Sequence, residues 1–312
     1  MEIVELQAGE NKARIAVHIG NTLFFLGKKE NILHFPIQVE DYALTKALYG
    51  NPFLYPFANR LQEDAFYFNK TKYTLDLQNL DLMRDANGLL LHGLLLKSPH
   101  WKTIEVTQEK DRSFHRAELD YGKHPELLRN FPFPHKIIMS HILYTDRLEI
   151  EVKIHNYGAE TMPLSFGFHP YFSYQDIPRD EVKINIPARQ YHSLSSKLLP
   201  EGSLFPIEKK WKSNIFFTLK GQMLDDVFTD LITEKPEFMM QAGDKEVKVA
   251  FGPKYRVAVV YAPLVKEKNF VCFEPMTAPT NGINLYHEGK IKDLMQVKPG
   301  HSWKESFWIY FK

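Results

Sequence analysis

Residues 147–155 read RLEIEVKIH. Leu148, Ile150, Val152 and Ile154 alternate with Glu149, Glu151, Lys153 and His155. A period of two puts the aliphatic side chains on one face of an extended chain and the charged ones on the other, which is the pattern of a half-buried strand. The alternation recurs at Ile15/Val17/Ile19, Val182/Ile184/Ile186, Val247/Val249/Phe251, Val257/Val259/Tyr261 and Phe307/Ile309/Phe311. Turn residues separate such runs at Asn156-Tyr157-Gly158, Pro200-Glu201-Gly202 and Lys298-Pro299-Gly300. One short helix is predicted over Val39 to Gly50, closing at the glycine. Because no strand–helix–strand rhythm runs through the chain, a parallel α/β sheet is disfavoured. The expected class is all-β, a large antiparallel β-sandwich. The last eight residues, ESFWIYFK, read as a strand paired into the sheet, so residues 1–312 are expected to form a single domain.

Composition narrows the function classes. The formal net charge of +1 gives no electrostatic footprint for nucleic acid or an anionic membrane surface. Aromatic residues, at 13%, suit both strands and the walls of carbohydrate sites. The single cysteine, Cys272, cannot close an intramolecular disulfide, as befits a reducing compartment. Glu2, Glu5 and Glu10 stand where a signal peptide would need an apolar run, and no stretch is apolar enough to span a bilayer. A cytoplasmic location is the default expectation.

Two segments place an ionisable residue directly before a proline: His169-Pro170 in PLSFGFHPYF and Glu274-Pro275 in NFVCFEPMTAPTNG. A residue before proline is pushed toward extended backbone. Both side chains are therefore expected at strand ends with restricted backbones, as a catalytic acid and base require. Alternation puts Leu164, Phe166 and Phe168 on one face, and Ser165, Gly167, His169 and Tyr171 on a face too polar for the core. Gly167 is expected to leave open space for a ligand beside His169. Val271 and Phe273 likewise share one face, and Phe270, Cys272 and Glu274 the other.

Three more segments hold polar groups in apolar surroundings: Asn59 and Arg60 in LYPFANRL, His92 in GLLLHGLLLK, and Asp225 and Asp226 in MLDDVFTDL. Such groups need partners or a ligand. Taken singly, a buried Arg–Asp pair, a hydrogen-bonded core histidine and a simple turn would account for them.

Together the five segments, PFANRL, LLHG, FGFHPYF, LDDVF and FEPMTAPTNGIN, resemble in order those of the aldose 1-epimerases, the galactose mutarotase-like family. The resemblance implies a β-supersandwich with a sugar in an open cleft on a concave sheet face. It implies Glu274 as general base and His169 as general acid, with Arg60, His92 and Asp225 holding sugar hydroxyls. Asp225 is preferred to Asp226 because it stands three residues before Phe228, as in the family segment. Asn59 and Tyr171 are weaker members of the site. Leu94 replaces a glycine of the well-studied galactose mutarotases, Phe57 a tyrosine and Met276 a commonly polar residue. These departures bear on the preferred sugar, since contacts beside the hydroxyls set specificity.

The implied reaction opens a hexose ring by moving one proton off the C1 hydroxyl and another onto the ring oxygen, then recloses it on the other face. A carboxylate and an imidazole suit these transfers, and with neither redox change nor group transfer, no cofactor and no metal is expected. The thirteen histidines are read as mostly surface residues, and His115 and His141 are given no role. The expected partner is a small-molecule sugar, not nucleic acid or membrane, with the chain as a monomer or homodimer. Three rivals remain: a hexose-6-phosphate 1-epimerase, a glycoside hydrolase using Asp225 and Glu274, and a non-catalytic carbohydrate-binding or sensor protein. The last two leave the pairing of His169 with Glu274 without a purpose.

Overall fold

All but one of the alternating runs assemble into two large antiparallel sheets packed face to face; in Ile15/Val17/Ile19 the strand, Asn11–Ala16, belongs to a separate three-stranded sheet and the chain turns after Ala16. The computed structural model describes residues 1–77, 82–174, 176–265 and 267–312. Among the described residues, one sheet has nine strands. It runs from Lys102–Gln108 through Arg112–Asp120, His135–Tyr144, Arg147–Asn156, Ser302–Phe311, Lys245–Phe251, Glu237–Ala242 and Lys183–Asn185 to Phe217–Thr218. The predicted terminal strand lies near the middle of this sheet, pairing Ile150 with Phe307 and Val249 with Ile309. The second sheet has eight strands. Its order is Pro200–Pro206, Ala188–Leu194, Leu224–Leu231, Val257–Ala262, Phe270–Met276, Gly167–Phe168 and Phe53–Leu54, with Tyr171–Ser173 also paired to Phe270–Met276.

The core fills the space between the sheets. Phe166 and Phe168 meet Trp303 and Phe307 of the opposite sheet at ring separations of 5.0 and 4.9 Å. Phe273 meets Phe238 in the same way at 5.8 Å. Each such ring is worth roughly 2–3 kcal/mol of burial, and truncation to alanine costs about 3–5 kcal/mol. The alternation in Phe270–Met276 is as expected. Val271 and Phe273 join this core, whereas Phe270, Cys272 and Met276 join a separate apolar cluster on the other face.

Three local expectations need correction. The helix over Val39 to Gly50 is one turn, Val39–Tyr42. Lys97 donates to the carbonyls of Tyr42 and Thr45, which a continuing helix would use internally. Buried Tyr42 meanwhile packs on Phe35 and Tyr49, while Leu48 belongs to a different apolar cluster. Pro200-Glu201-Gly202 is no turn but the start of a strand. Gly202 there has φ +98°, and the pairing with Ala188–Leu194 slips by two residues, so the glycine serves an irregular edge. The histidines are not chiefly superficial either: His92, His115, His135, His141, His169 and His192 are buried. The other two turns form as read. Gly158 donates to the Asn156 side chain at 2.9 Å, and the His301 N–H reaches the Lys298 carbonyl at 3.0 Å. None of the described helices is long and apolar enough to cross a membrane.

Candidate functional site

Backbone register creates the centre of the site. Gly167 pairs with Met276, and Tyr171 pairs with Cys272, both on the strand Phe270–Met276. Interpolating between these two pairs sets His169 directly across from Glu274. The register is unbroken between the two short strands, and the His169 N–H is taken by the Pro52 carbonyl at 3.1 Å. The imidazole Nε2 then lies 3.2 Å from Glu274 Oε1. Tyr171 stacks on the ring at 4.3 Å with the planes 7° apart, and its hydroxyl is 3.4 Å from the same Nε2.

Gly167 has a different task from the one expected. A Cβ there would stand 2.6 Å from the Pro275 carbonyl oxygen and 2.8 Å from the Met276 side chain. The glycine opens no space for a ligand. It lets two backbones approach closely enough to hold His169 against Glu274. Glu274, placed at a strand end by its proline, stands inside the strand instead, two residues short of its end.

The second half of the site comes from two short strands, Arg60–Leu61 and Leu90–Leu91, paired Arg60 to Leu91. Asn59 and His92 both have positive φ, 59° and 67°, and the His92 N–H donates to the Asn59 carbonyl at 2.8 Å. Non-glycine residues adopt this conformation at a cost and only where the surroundings hold them. The turned backbone brings the His92 ring edge-on to His169, at 5.1 Å and 83°. Arg60 donates to Asp85 at 2.7 Å, Asp225 at 3.2 Å and Asn59 at 2.9 Å. It is therefore both a half-buried ion-pair partner and a wall of the cleft. Asp226 points elsewhere, to Lys210 at 3.0 Å.

These side chains converge. Asn59, Arg60, His92, His169, Tyr171, Asp225 and Glu274 all line one cavity of about 300 Å³, joined by Tyr261, Phe270 and Lys268. That volume is at the lower end of the range for small-molecule pockets, roughly 300–1,000 Å³. Three buried polar atoms in it have no hydrogen-bond partner in the protein: Glu274 Oε2, His169 Nδ1 and His92 Nδ1. Buried polar atoms left open in this way mark a place for a ligand or water.

The electrostatics follow from burial. Desolvation, and then the negative charge of Asp225, push the Glu274 carboxyl well above the usual range, with Arg60 opposing. Burial takes His169 down to about 3. It takes His92 well below its ordinary value too, helped by His169 and Arg60. Asp225 is raised by burial despite its Arg60 partner. Burial also acts upward on Asp85, but Arg60 and the N–H groups of Leu89 and Asn87 outweigh it and hold that carboxyl low. The buried dyad thus favours a neutral carboxyl beside a neutral imidazole. Moving one proton across the 3.2 Å contact gives carboxylate and imidazolium with the same proton count.

Sequence reasoning missed Asp85 and Tyr261. Asp85 sits in a turn, where its other oxygen accepts from Asn87 and Leu89, so it reads as turn chemistry. Tyr261 was within reach, because it continues the alternation Val257/Val259, whose members prove to face the cleft side. It pairs with both Asp225 and Cys272 in the sheet.

Comparison with known proteins gives the family and the fold. The sequence profile of the aldose 1-epimerase family matches residues 20–310, and the chain belongs to that family. A galactose mutarotase-like protein from Clostridium acetobutylicum superposes with a TM-score of 0.85 at 20% identity, over 99% of this chain and 95% of the other. Galactose 1-epimerase from Lactobacillus acidophilus superposes at 0.76 and 14% identity, over 100% and 95%. The uncharacterized Escherichia coli K12 protein YphB is 23% identical over 265 residues, covering 80% of this chain and 79% of its own. At these identities the structures establish a shared galactose mutarotase-like fold.

Proposed function

We propose that the protein is a cytoplasmic aldose 1-epimerase that interconverts the α and β anomers of a free hexose, with Glu274 as general base and His169 as general acid. One observation carries the reading: the two groups touch at 3.2 Å, with the outer oxygen of one and the outer nitrogen of the other unpartnered, in a cavity of suitable size. In the charge-separated tautomer, the Glu274 carboxylate accepts the C1 hydroxyl proton and the imidazolium gives its proton to the ring oxygen. The ring opens, the C1–C2 bond turns, and the reverse transfers close it on the other face. Ring opening leaves the dyad as the neutral pair that burial favours, and ring closure restores the charge-separated tautomer, so the proton count of the dyad is the same before and after turnover. Arg60, His92 and Asp225, with Asn59 and Tyr171 beside them, supply donors and acceptors for the sugar hydroxyls. Arg60 also opposes negative charge growing on the opening oxygen.

The hydrolase rival fits poorly, because Asp225 is engaged by Arg60 and the contact of His169 with Glu274 has no part in that chemistry. A phosphorylated hexose has one observation in its favour, the exposed Lys268 on the cavity wall. Polarimetry tests the proposal. Freshly dissolved α-glucose or α-galactose should reach its equilibrium rotation faster with catalytic protein, at an unchanged end point. A panel of free aldoses and their 6-phosphates that equilibrates no faster than the buffer background overturns it.

A further inference from the structure

We propose that His100, His124 and Glu126 form a site for one divalent transition-metal ion of the zinc class, separate from the sugar dyad. His100 Nε2 lies 3.0 Å and His124 Nδ1 3.6 Å from the same oxygen, Glu126 Oε1. The three donor atoms all fall within 4.8 Å of one another. Donors around a tetrahedral zinc, at roughly 2.0–2.1 Å from the ion, stand about 3.3 Å apart. The two distances to Glu126 straddle that value and the two histidine nitrogens lie within 4.8 Å, so side-chain rotations would let the three enclose an ion.

The donor set selects the ion. Two imidazoles and one carboxylate suit zinc, copper, nickel or cobalt, whereas magnesium and calcium take oxygen cages. The two rings also stack at 3.7 Å and 23°, both beside that one carboxylate oxygen. Each ring nitrogen facing that oxygen can donate an N–H to it or offer a lone pair to an ion between them.

The ligands are held by two separate segments. His100 stands between Pro99 and Trp101, whose indole is fully buried. His124 precedes Pro125 at the start of the short helix Pro125–Leu128, which carries Glu126. His100 and Glu126 open onto a cavity of about 250 Å³, which gives an ion a route in. The Asp120 carboxylate near His124 favours a cation, and Lys102 near it disfavours one. An ion here would pin the segment that follows His92 to the helix. The cavity shares Leu48 and Met83 with the sugar cleft, but none of the three ligands lines that cleft.

The test is a zinc titration of chelator-stripped, desalted protein against a chromophoric chelator, with cobalt(II) absorption as a second readout. One equivalent should bind with micromolar or tighter affinity, weaken at pH 5.5 as protons compete for the imidazoles, and raise the melting temperature. His100→Gln and His124→Gln should each weaken binding at least about tenfold and abolish the thermal shift, with circular dichroism showing both folded. His287→Gln, at an exposed position distant in the chain, should bind as the parent does. Absence of one-equivalent binding up to roughly 100 μM zinc, or parent-like affinity in either ligand variant, overturns the proposal.

Discussion

Two pairs of buried histidines can be set side by side. His92 and His169 meet at 5.1 Å in the cleft, and His115 and His141 face each other at 6.0 Å on neighbouring strands of the nine-stranded sheet. Burial lowers all four, His141 and His169 both to about 3 and His115 to about 4. All four have an Nδ1 without a partner. By burial, protonation and missing hydrogen bonds the pairs are alike. They differ in company. His169 touches a second titratable group and a cavity, whereas His115 touches the Thr103 hydroxyl at 3.1 Å. A perturbed histidine therefore points to chemistry only when a proton partner and room for a substrate come with it.

The largest effect should come from the partner. Glu274→Gln keeps the shape and removes the base, and mutarotation should fall by at least about 10²-fold with the fold retained. Near-normal turnover in a folded variant would break the distinction between the two pairs. His169→Gln should cost a comparable factor, and the double variant far less than the product of the two losses, since the dyad works as a unit. Independent, multiplicative losses would show two uncoupled groups. His115→Gln and His141→Gln should leave turnover within about twofold of the parent.

Arg60→Ala should both slow turnover and lower the melting temperature. It leaves the half-buried carboxylates of Asp85 and Asp225 without their cation, at a cost on the order of 1–3 kcal/mol. Lost activity with unchanged melting would mean that the two ion pairs add little to stability.

The smallest effect is in acid. His115, at about 4, and His141, at about 3, sit below the ordinary histidine value of 6.5, so the unfolded chain takes up protons first as pH falls. Their contribution to stability is complete above pH 6.5 and is lost progressively from there toward pH 4 and 3. Each should cost on the order of 1 kcal/mol at pH 5.5. Melting curves between pH 7 and 5 should show a shallower decline for His141→Gln than for the parent. Equal slopes would mean that this histidine does not drive the acid loss.

Much of the fold was legible because strands whose two faces differ announce themselves by alternation. RLEIEVKIH and ESFWIYFK could be read as strands from their patterns alone, although not that they are neighbours, with Ile150 beside Phe307. The helix over Val39 to Gly50 was overstated because a residue far along the chain, Lys97, takes its carbonyls, and local sequence carries no sign of that. The positions of His169 and Glu274 were legible from the faces of their segments, and the choice of Asp225 over Asp226 agrees with where the two carboxylates point. Asp85 and the cluster of His100, His124 and Glu126 were not. Their partners meet only through the fold, with spacings that match no local motif.

The close packing of Gly167 against Pro275 bears on how this chain can change its length. The stretch from Tyr174 to Asn269 can gain or lose residues in its loops without disturbing the alignment of His169 with Glu274, because that alignment is set at its two ends. Between Gly167 and Tyr171 no such freedom exists. Both ends are locked to the same strand, and one added or deleted residue would bring Phe168 or Pro170 opposite Glu274 in place of the histidine. Five residues thus work as a ruler between two points fixed on one strand.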